Sequence, residues 1–434
     1  MMSKLLTVTC LLVLCAGAQA KAPFTYGHAA YTYAPLMCTS NPCDVVPSCN
    51  RAHWSGDIAQ YNNAAQTNGK INIVYAYGGD IEFWPNAKTP QGCWAPASND
   101  LNVCNVSVFY DPNNELAAEA YSQTAGVDAV VALLDGRLDG WNQIQTYNNY
   151  DGCKFGDFYP NLNNLTDFAL QRLATDTAKL YCKSQVLNGI QVDLEPYKPM
   201  YKTSIQKYVS YLGKAMLDEG SQYGCRTSKF PLGRTISYFT FAHNHKPSFM
   251  NDLGPNGYFV FSGYDLADQI WPSDPTFKFN DIATFETRLR EEITYIRPLV
   301  GTTGKYTMAF PMAASCHEYE QYVPMKGEGC GPACIPYTNT AKMSDYVTTI
   351  FKVLLDPATT SSTQNAFCMD EANDGQFLGL SWWTWTYEMT YPPMKWFSNV
   401  FLPPTPSSDV LAILAANLPK LATVTCQKAT AIAA

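Results

Sequence analysis

The stretch Asn188-Gly-Ile-Gln-Val-Asp-Leu-Glu-Pro196 has the clearest capacity for chemistry in this chain. Ile190, Val192 and Leu194 alternate with Gln191, Asp193 and Glu195. That is the period-two pattern of a strand whose two sets of side chains face opposite ways. In a closed barrel one set meets the helices and the other fills the interior. The apolar set suits the helices, which leaves a Gln and two acids pointing inward. An unpaired buried charge costs on the order of several kcal/mol, so fold stability gives no reason for that arrangement. Pro196 stops the strand and sets Glu195 at its C-terminal end, where barrel enzymes keep their chemistry. Asp193 follows about 7 Å behind on the same face. Repulsion and burial in such a pair favour one protonated carboxyl near neutral pH, which suits an acid–base couple. A protonated carboxyl beside a carboxylate is what glycosidic bond cleavage needs. The structural alternative is an acid pair neutralised by Arg or Lys. No Lys or Arg falls in the inward set of the other expected strands.

The elements that must position these acids alternate in type. Strand-like apolar runs cover residues 71–77, 127–134, 189–195, 235–241, 258–262, 306–310 and 377–383. Helical faces fall between them. Leu170, Leu173, Ala174, Thr177 and Tyr181 form one, and Ile205, Tyr208, Val209, Leu212 and Met216 another. Ile282, Phe285, Leu289, Ile293 and Ile296 form a third, and Tyr346, Val347, Ile350 and Leu354 a fourth. Strand then helix, repeated, predicts parallel strands with crossover helices. An eighth strand is expected within residues 102–110. Eight repeats, with no G-x-G-x-x-G after any strand, favour a closed (β/α)8 barrel over an open doubly wound sheet. The fold class is therefore α/β, a single (β/α)8 TIM barrel with N- and C-terminal extensions and disulfides. Residues 21–400 form the barrel domain. The segment before Ile71 reads as decoration, and residues 401–434 as a C-terminal tail with a helix near 410–418.

Around the acids the sequence resembles glycoside hydrolase family 18, the chitinases and endo-β-N-acetylglucosaminidases. That family carries D-G-x-D-x-D-x-E on its fourth barrel strand. The matching positions here are Asn188, Gly189, Gln191, Asp193 and Glu195, with the first two acids replaced by amides. Ser262-Gly-Tyr264-Asp265-Leu-Ala is similar to its M-x-Y-D-L on strand six, and residues 305–311 to its strand-seven pattern. Gly379-Leu-Ser-Trp-Trp383 is similar to its G-x-M-x-W on strand eight, and residues 71–77 to its first strand. The resemblance spans about residues 71 to 390. It implies that Glu195 is the general acid and that the substrate's own 2-acetamido oxygen is the nucleophile. Asp193 would orient the acetamido N–H, and Tyr264 would bond the acetamido carbonyl. Trp383 would floor the sugar, Asp265 would be a secondary contact, and Gln191 would donate a hydrogen bond to Asp193. Of Trp382, Trp383 and Trp385, at least one is expected to be core packing. The amides at 188 and 191 put full activity in doubt or shift its pH optimum, and the family's S-x-G-G on strand three is replaced by Leu133-Leu-Asp-Gly136. The connection over residues 312–342 is short for an added α+β domain, so an open groove is expected.

The implied function is a secreted glycosidase cutting β-1,4 bonds next to N-acetylglucosamine in chitin oligomers, N-glycan cores or peptidoglycan. The alternative is a non-hydrolytic lectin for the same glycans. A third reading, an unrelated barrel whose acids bind metal, has His243 and His245 at the end of strand five. Those two are expected as a neutral, surface-exposed pair. No cofactor and no metal is expected.

The rest of the composition sets the context. The chain has 434 residues, 47% hydrophobic and 15% charged, enough to bury a large core. Lys and Arg number 29 against 37 Asp and Glu, a net charge of −8. An acidic chain without a basic run is a poor partner for nucleic acid or an anionic membrane. A monomer acting on carbohydrate is expected. Residues 1–20 read as a secretory signal, with Lys4, an apolar stretch over residues 5–14 and an Ala18-Gln-Ala20 cleavage site. Removing them leaves 414 residues, net charge −9 since Lys4 is lost, and an extracellular or periplasmic protein. Cys10 and Cys15 of the 15 cysteines go with the signal. The thirteen that remain predict disulfides, with at least one thiol free or paired outside the chain. A metal site at Cys316, His317, Cys330 and Cys334 is the weaker reading. Asn105-Val-Ser107 and Asn164-Leu-Thr166 are glycosylation sequons.

Overall fold

A computed structural model describes residues 27–32, 56–83, 106–109, 112–137, 162, 165–195, 202–245, 253–263, 282–301, 304–312, 320–324, 332–336, 343–356, 376–386 and 408–424. The strands are β1 (His28–Thr32), β2 (Ile71–Phe83), β3 (Val106–Phe109), β4 (Ala129–Arg137), β5 (Leu187–Glu195), β6 (Thr235–Thr240), β7 (Gly257–Ser262), β8 (Tyr306–Pro311), β9 (Glu320–Pro324), β10 (Pro332–Pro336) and β11 (Phe377–Thr386). The helices are α1 (Gly56–Ala64), α2 (Pro112–Ser122), α3 (Asp167–Tyr181), α4 (Lys202–Leu217), α5 (Ile282–Val300), α6 (Met343–Leu354) and α7 (Ser408–Leu421).

Eight of the strands, β1, β2, β4, β5, β6, β7, β8 and β11, pair in parallel, and β1 bonds to both β2 and β11. The sheet is therefore a closed barrel with helices between its strands. Closure removes the sheet edges that an open arrangement would leave unpaired. The acidic stretch is the fourth barrel strand, as its motif implied.

Two expectations are corrected. Residues 106–109 do not supply the eighth barrel strand: β3 runs antiparallel on the far end of β2 and lies outside the ring. The missing strand is β1, inside the segment read as decoration, so the run at residues 71–77 is the second barrel strand. His28-Ala-Ala-Tyr-Thr32 is only five residues long, yet every one is buried, because neighbours flank it on both sides. A run so short and so poor in β-branched residues carries little strand signal of its own.

The helical faces read from periodicity are the buried ones. Leu170, Leu173, Ala174, Thr177 and Tyr181 of α3 are all buried, as are Ile205, Tyr208, Val209, Leu212 and Met216 of α4. Thr166 caps α3 by accepting from the Ala169 N–H at 3.2 Å. The helix expected near 410–418 is α7, whose Val410, Leu414, Leu418 and Leu421 are buried where it packs on α6 and the turn Thr67–Gly69. β9 and β10 form a two-stranded antiparallel ribbon in the connection after β8.

A disulfide, Cys182–Cys225, ties the end of α3 to the turn after α4. Next to it Arg234, 2% exposed, donates to the carbonyls of Cys225, Leu187, Cys182 and Ser184 and stacks 3.7 Å over Phe230. Desolvation lowers its guanidinium to about 10. One buried cation thus pairs four carbonyls that the start of β5 and its neighbouring turns would otherwise leave unsatisfied. Apart from Cys334, the other cysteines, the expected signal, the asparagines of both sequons and most of the expected metal site fall outside the described residues. Cys334 lies in β10. Among the described residues no group of three or more His, Cys, Asp or Glu could hold a metal ion, and no helix is long and apolar enough to cross a membrane.

Candidate active site

Register fixes which positions of the acidic strand face inward. Gln191 is aligned with Leu133 of β4 and Ser237 of β6, and Asp193 with Asp135. Parallel neighbours in register point the same way. Ser237 is aligned in turn with Tyr258, whose hydroxyl lies 2.9 Å from that of Tyr75 on β2. These two strands are separated around the ring, so the contact crosses the barrel interior. Gln191, Asp193 and Asp135 therefore share the inner face. Ile190, Val192 and Leu194, all fully buried, face the helices.

The middle of the interior is a hydroxyl and aromatic layer rather than an aliphatic one. The rings of Tyr31 and Tyr75 lie 4.8 Å apart. Gln191 is fully buried, and its Nε2 donates to the Tyr31 hydroxyl rather than to Asp193, which corrects the expected partner. Tyr75 also bonds the Ser381 hydroxyl, which meets Thr307 at 3.1 Å. Burial raises the Tyr31, Tyr75 and Tyr258 phenols, so all three stay protonated. The nearby Asp193 charge raises Tyr31 further, after burial and against the Gln191 bond. Gly189 begins the inward set because a Cβ there would fall 2.2 Å from the Thr235 carbonyl oxygen.

Above that layer the mouth is acidic. Asp193 and Asp135 stand side by side, both half-buried, and Asp135 accepts from the Gly136 N–H at 2.7 Å. Residue 195 closes β5 in register with residue 137, the last of β4. Of Glu195 and Arg137 the backbone alone is described. Residue 137, an arginine, lies beyond the bounds expected for β4 and takes the register position beside residue 195. The apolar run stops at residue 134, but β4 continues through Asp135-Gly136 to Arg137 because β5 keeps bonding alongside.

The tryptophans divide by alternation. Trp382 is fully buried against Phe310 and Phe351, the latter on α6, so it faces the helices. Register with β8 is regular from Leu380 to Trp383, which turns half-buried Trp383 to the inner face with Ser381. A register shift against β1 follows, and Trp385 faces outward again onto Tyr61 of α1. Tyr264 and Asp265 lie outside the described residues, immediately beyond Gly263 at the end of β7.

Asn188 stands at the opposite end of β5 from the mouth, where its Oδ1 accepts from the Val130 N–H at 3.0 Å and clamps the start of β4. The two histidines are not a surface-exposed pair. His243 Nδ1 bonds Glu292 of α5 at 2.6 Å, and Glu292 also accepts from the Ala242 N–H. His245 bonds the Thr240 hydroxyl and packs edge-on to Tyr238. Tyr238 and Thr240 belong to the outward set of β6, so both rings turn from the mouth toward the helices. Sequence reasoning missed Tyr31, Tyr75, Tyr258 and the role of Asp135. Alternation would have found Asp135 once the run was carried past residue 134.

No protein-family model and no curated protein matches the sequence. Among solved structures, a chitinase from Chromobacterium violaceum aligns over 91% of this chain and 99% of its own, at 11% identity and a TM-score of 0.42. A GH18-family chitinase from Cycas revoluta, in complex with allosamidin, aligns over 91% and 98% at 13% identity and 0.41. The spore cortex-lytic enzyme SleL of Bacillus cereus aligns over 90% and 74% at 10% identity and 0.41. At these scores the likenesses assign no chemistry to this chain, and its own inner face has to carry the functional reading.

Proposed function

We propose that the chain is a glycosidase that cleaves β-1,4 bonds beside N-acetylglucosamine. The observation that carries this reading is the inner face of β5, with Asp193 at a polar mouth and residue 195 as the strand's last position. The position of Trp383 on the same inner face supports it, since an indole at the mouth offers a surface for the C–H face of a sugar. In this reading Glu195 protonates the bridging oxygen as the C1–O bond breaks. The substrate's acetamido carbonyl oxygen closes onto C1, and Asp193 steadies the acetamido N–H as positive charge develops. Tyr264 holds the acetamido oxygen, and Asp265 touches the sugar beside it. Water then opens the ring at C1, returning its proton to the Glu195 carboxylate, with retained configuration. The buried Cys182–Cys225 disulfide agrees with export to an oxidising compartment, the secreted location inferred from residues 1–20.

The test uses the protein and its Glu195→Gln variant with a chitin oligosaccharide and a core N-glycan. Cleavage by the parent, lost by at least about a thousandfold in the variant while binding persists, is the expected result for removal of a general acid. Binding without cleavage by the parent overturns the enzyme reading in favour of a lectin.

A further inference from the structure

The last row of the barrel mouth sets opposite charges side by side. β4 and β5 stay in register to their ends, with Asp135 beside Asp193, Gly136 beside Leu194 and Arg137 beside Glu195. Alternation from Asp135 and Asp193 returns residues 137 and 195 to the inner face two positions further on. Neighbouring strands lie about 4.8 Å apart, so a cation and an acid hold adjacent positions on one face at the C-terminal rim. Gly136 is what lets β4 reach that row. A Cβ there would fall 2.8 Å from Leu194 Cδ2 and 3.2 Å from the Ile81 carbonyl oxygen, so a larger residue would push β4 off both neighbours just before its end.

Two influences of opposite sign act on position 195. Asp193 and Asp135, both half-buried two residues below, favour a protonated carboxyl there. Arg137 favours the carboxylate, and its guanidinium stays charged at every working pH. The cation position is the nearer one, about 4.8 Å across the strands against about 7 Å along β5 to Asp193. Coulomb energy falls with distance, so the arginine prevails.

We propose that Arg137 is a positioning residue that pairs across the strands with the Glu195 carboxyl and sets the pH at which that carboxyl holds its proton. This rests on the glycosidase reading for its consequence in catalysis, although not for the pair itself. Glu195 gives its proton to the leaving oxygen, so kcat/KM falls as pH rises through the midpoint of its ionisation. The arginine lowers that midpoint and confines cleavage to the acid side.

The experiment compares the parent with Arg137→Met, Arg137→Lys and Asp135→Asn, each checked for folding by circular dichroism. One readout is the pH dependence of kcat/KM on a chitin oligosaccharide. The other is an infrared titration of the Glu195 carboxyl, isolated by subtracting the Glu195→Gln spectrum, which needs no activity. Arg137→Met should raise the Glu195 midpoint, and with it the alkaline limb of the profile, by about one pH unit. Arg137→Lys keeps the charge and should keep most of the effect, whereas Asp135→Asn removes a like charge and should move the midpoint the other way. Arg137→Gln carries the same test if the methionine variant does not fold. An unmoved midpoint in a folded variant without the cation overturns the inference, as does a rise that Arg137→Lys shows in full. Cleavage by the parent with an unmoved infrared midpoint removes the pair alone. A shifted midpoint without cleavage by the parent leaves the pair standing and removes the glycosidase reading instead.

Discussion

Acidification should act on the barrel through His28. This side chain begins β1, is 1% exposed, and has both ring nitrogens engaged. Its Nδ1 accepts from the Leu380 N–H at 3.2 Å, and its Nε2 faces the Asn68 carbonyl oxygen at 3.2 Å. That arrangement fits the neutral ring with its proton on Nε2. A second proton on Nδ1 would oppose the Leu380 N–H, in the strand where β11 closes the barrel onto β1. Burial lowers the imidazole from 6.5 to about 4, against smaller raising effects from the Asn68 and Leu418 backbones. The unfolded chain therefore binds this proton more readily than the folded one throughout the window between those values. Stability from His28 is fully present above pH 6.5 and is lost as pH falls toward 4. At about 1.4 kcal/mol per unit, the loss reaches about 2 kcal/mol at pH 5 and about 3 kcal/mol below pH 4. For a chain this long, 2 kcal/mol corresponds to about 2–3 °C in Tm. The assay is urea unfolding of the parent and His28→Gln at intervals from pH 8 to pH 4.5. The variant should be less stable at pH 8, and the gap should close on acidification because the variant lacks the titrating group. A gap that stays constant with pH would refute the neutral buried assignment.

Other outcomes follow from the base of the barrel. Arg234→Met keeps an apolar stem over Phe230 but orphans four carbonyls, and should cost about 3 kcal/mol in chemical denaturation once the relief of burying a cation is set against it. Replacing Cys182 and Cys225 together with Ala frees a loop of 43 residues in the unfolded chain. The loss expected from loop entropy is about 4 kcal/mol, read as a drop in the urea midpoint. Glu195→Gln should abolish cleavage and spare binding.

The sequence by itself determined the alternation of strands and helices, the buried faces of α3, α4, α5 and α6, and the parity of the acidic strand. Each rests on periodicity carried by local residues, and local periodicity survives in any fold that buries one face. It also singled out Asp193 and Trp383 as inward candidates and allowed for an outward tryptophan beside them. Tertiary structure alone decided the rest. β1 exists because β2 and β11 bracket it, not because five residues favour extension. β4 runs on to Arg137 because β5 continues beside it, which brings Asp135 next to Asp193 and a cation position next to residue 195. His243 and His245 turn away because Glu292 and Thr240 receive them. Gln191 and Tyr31 are 160 positions apart, and only closure of the barrel brings the two side chains together.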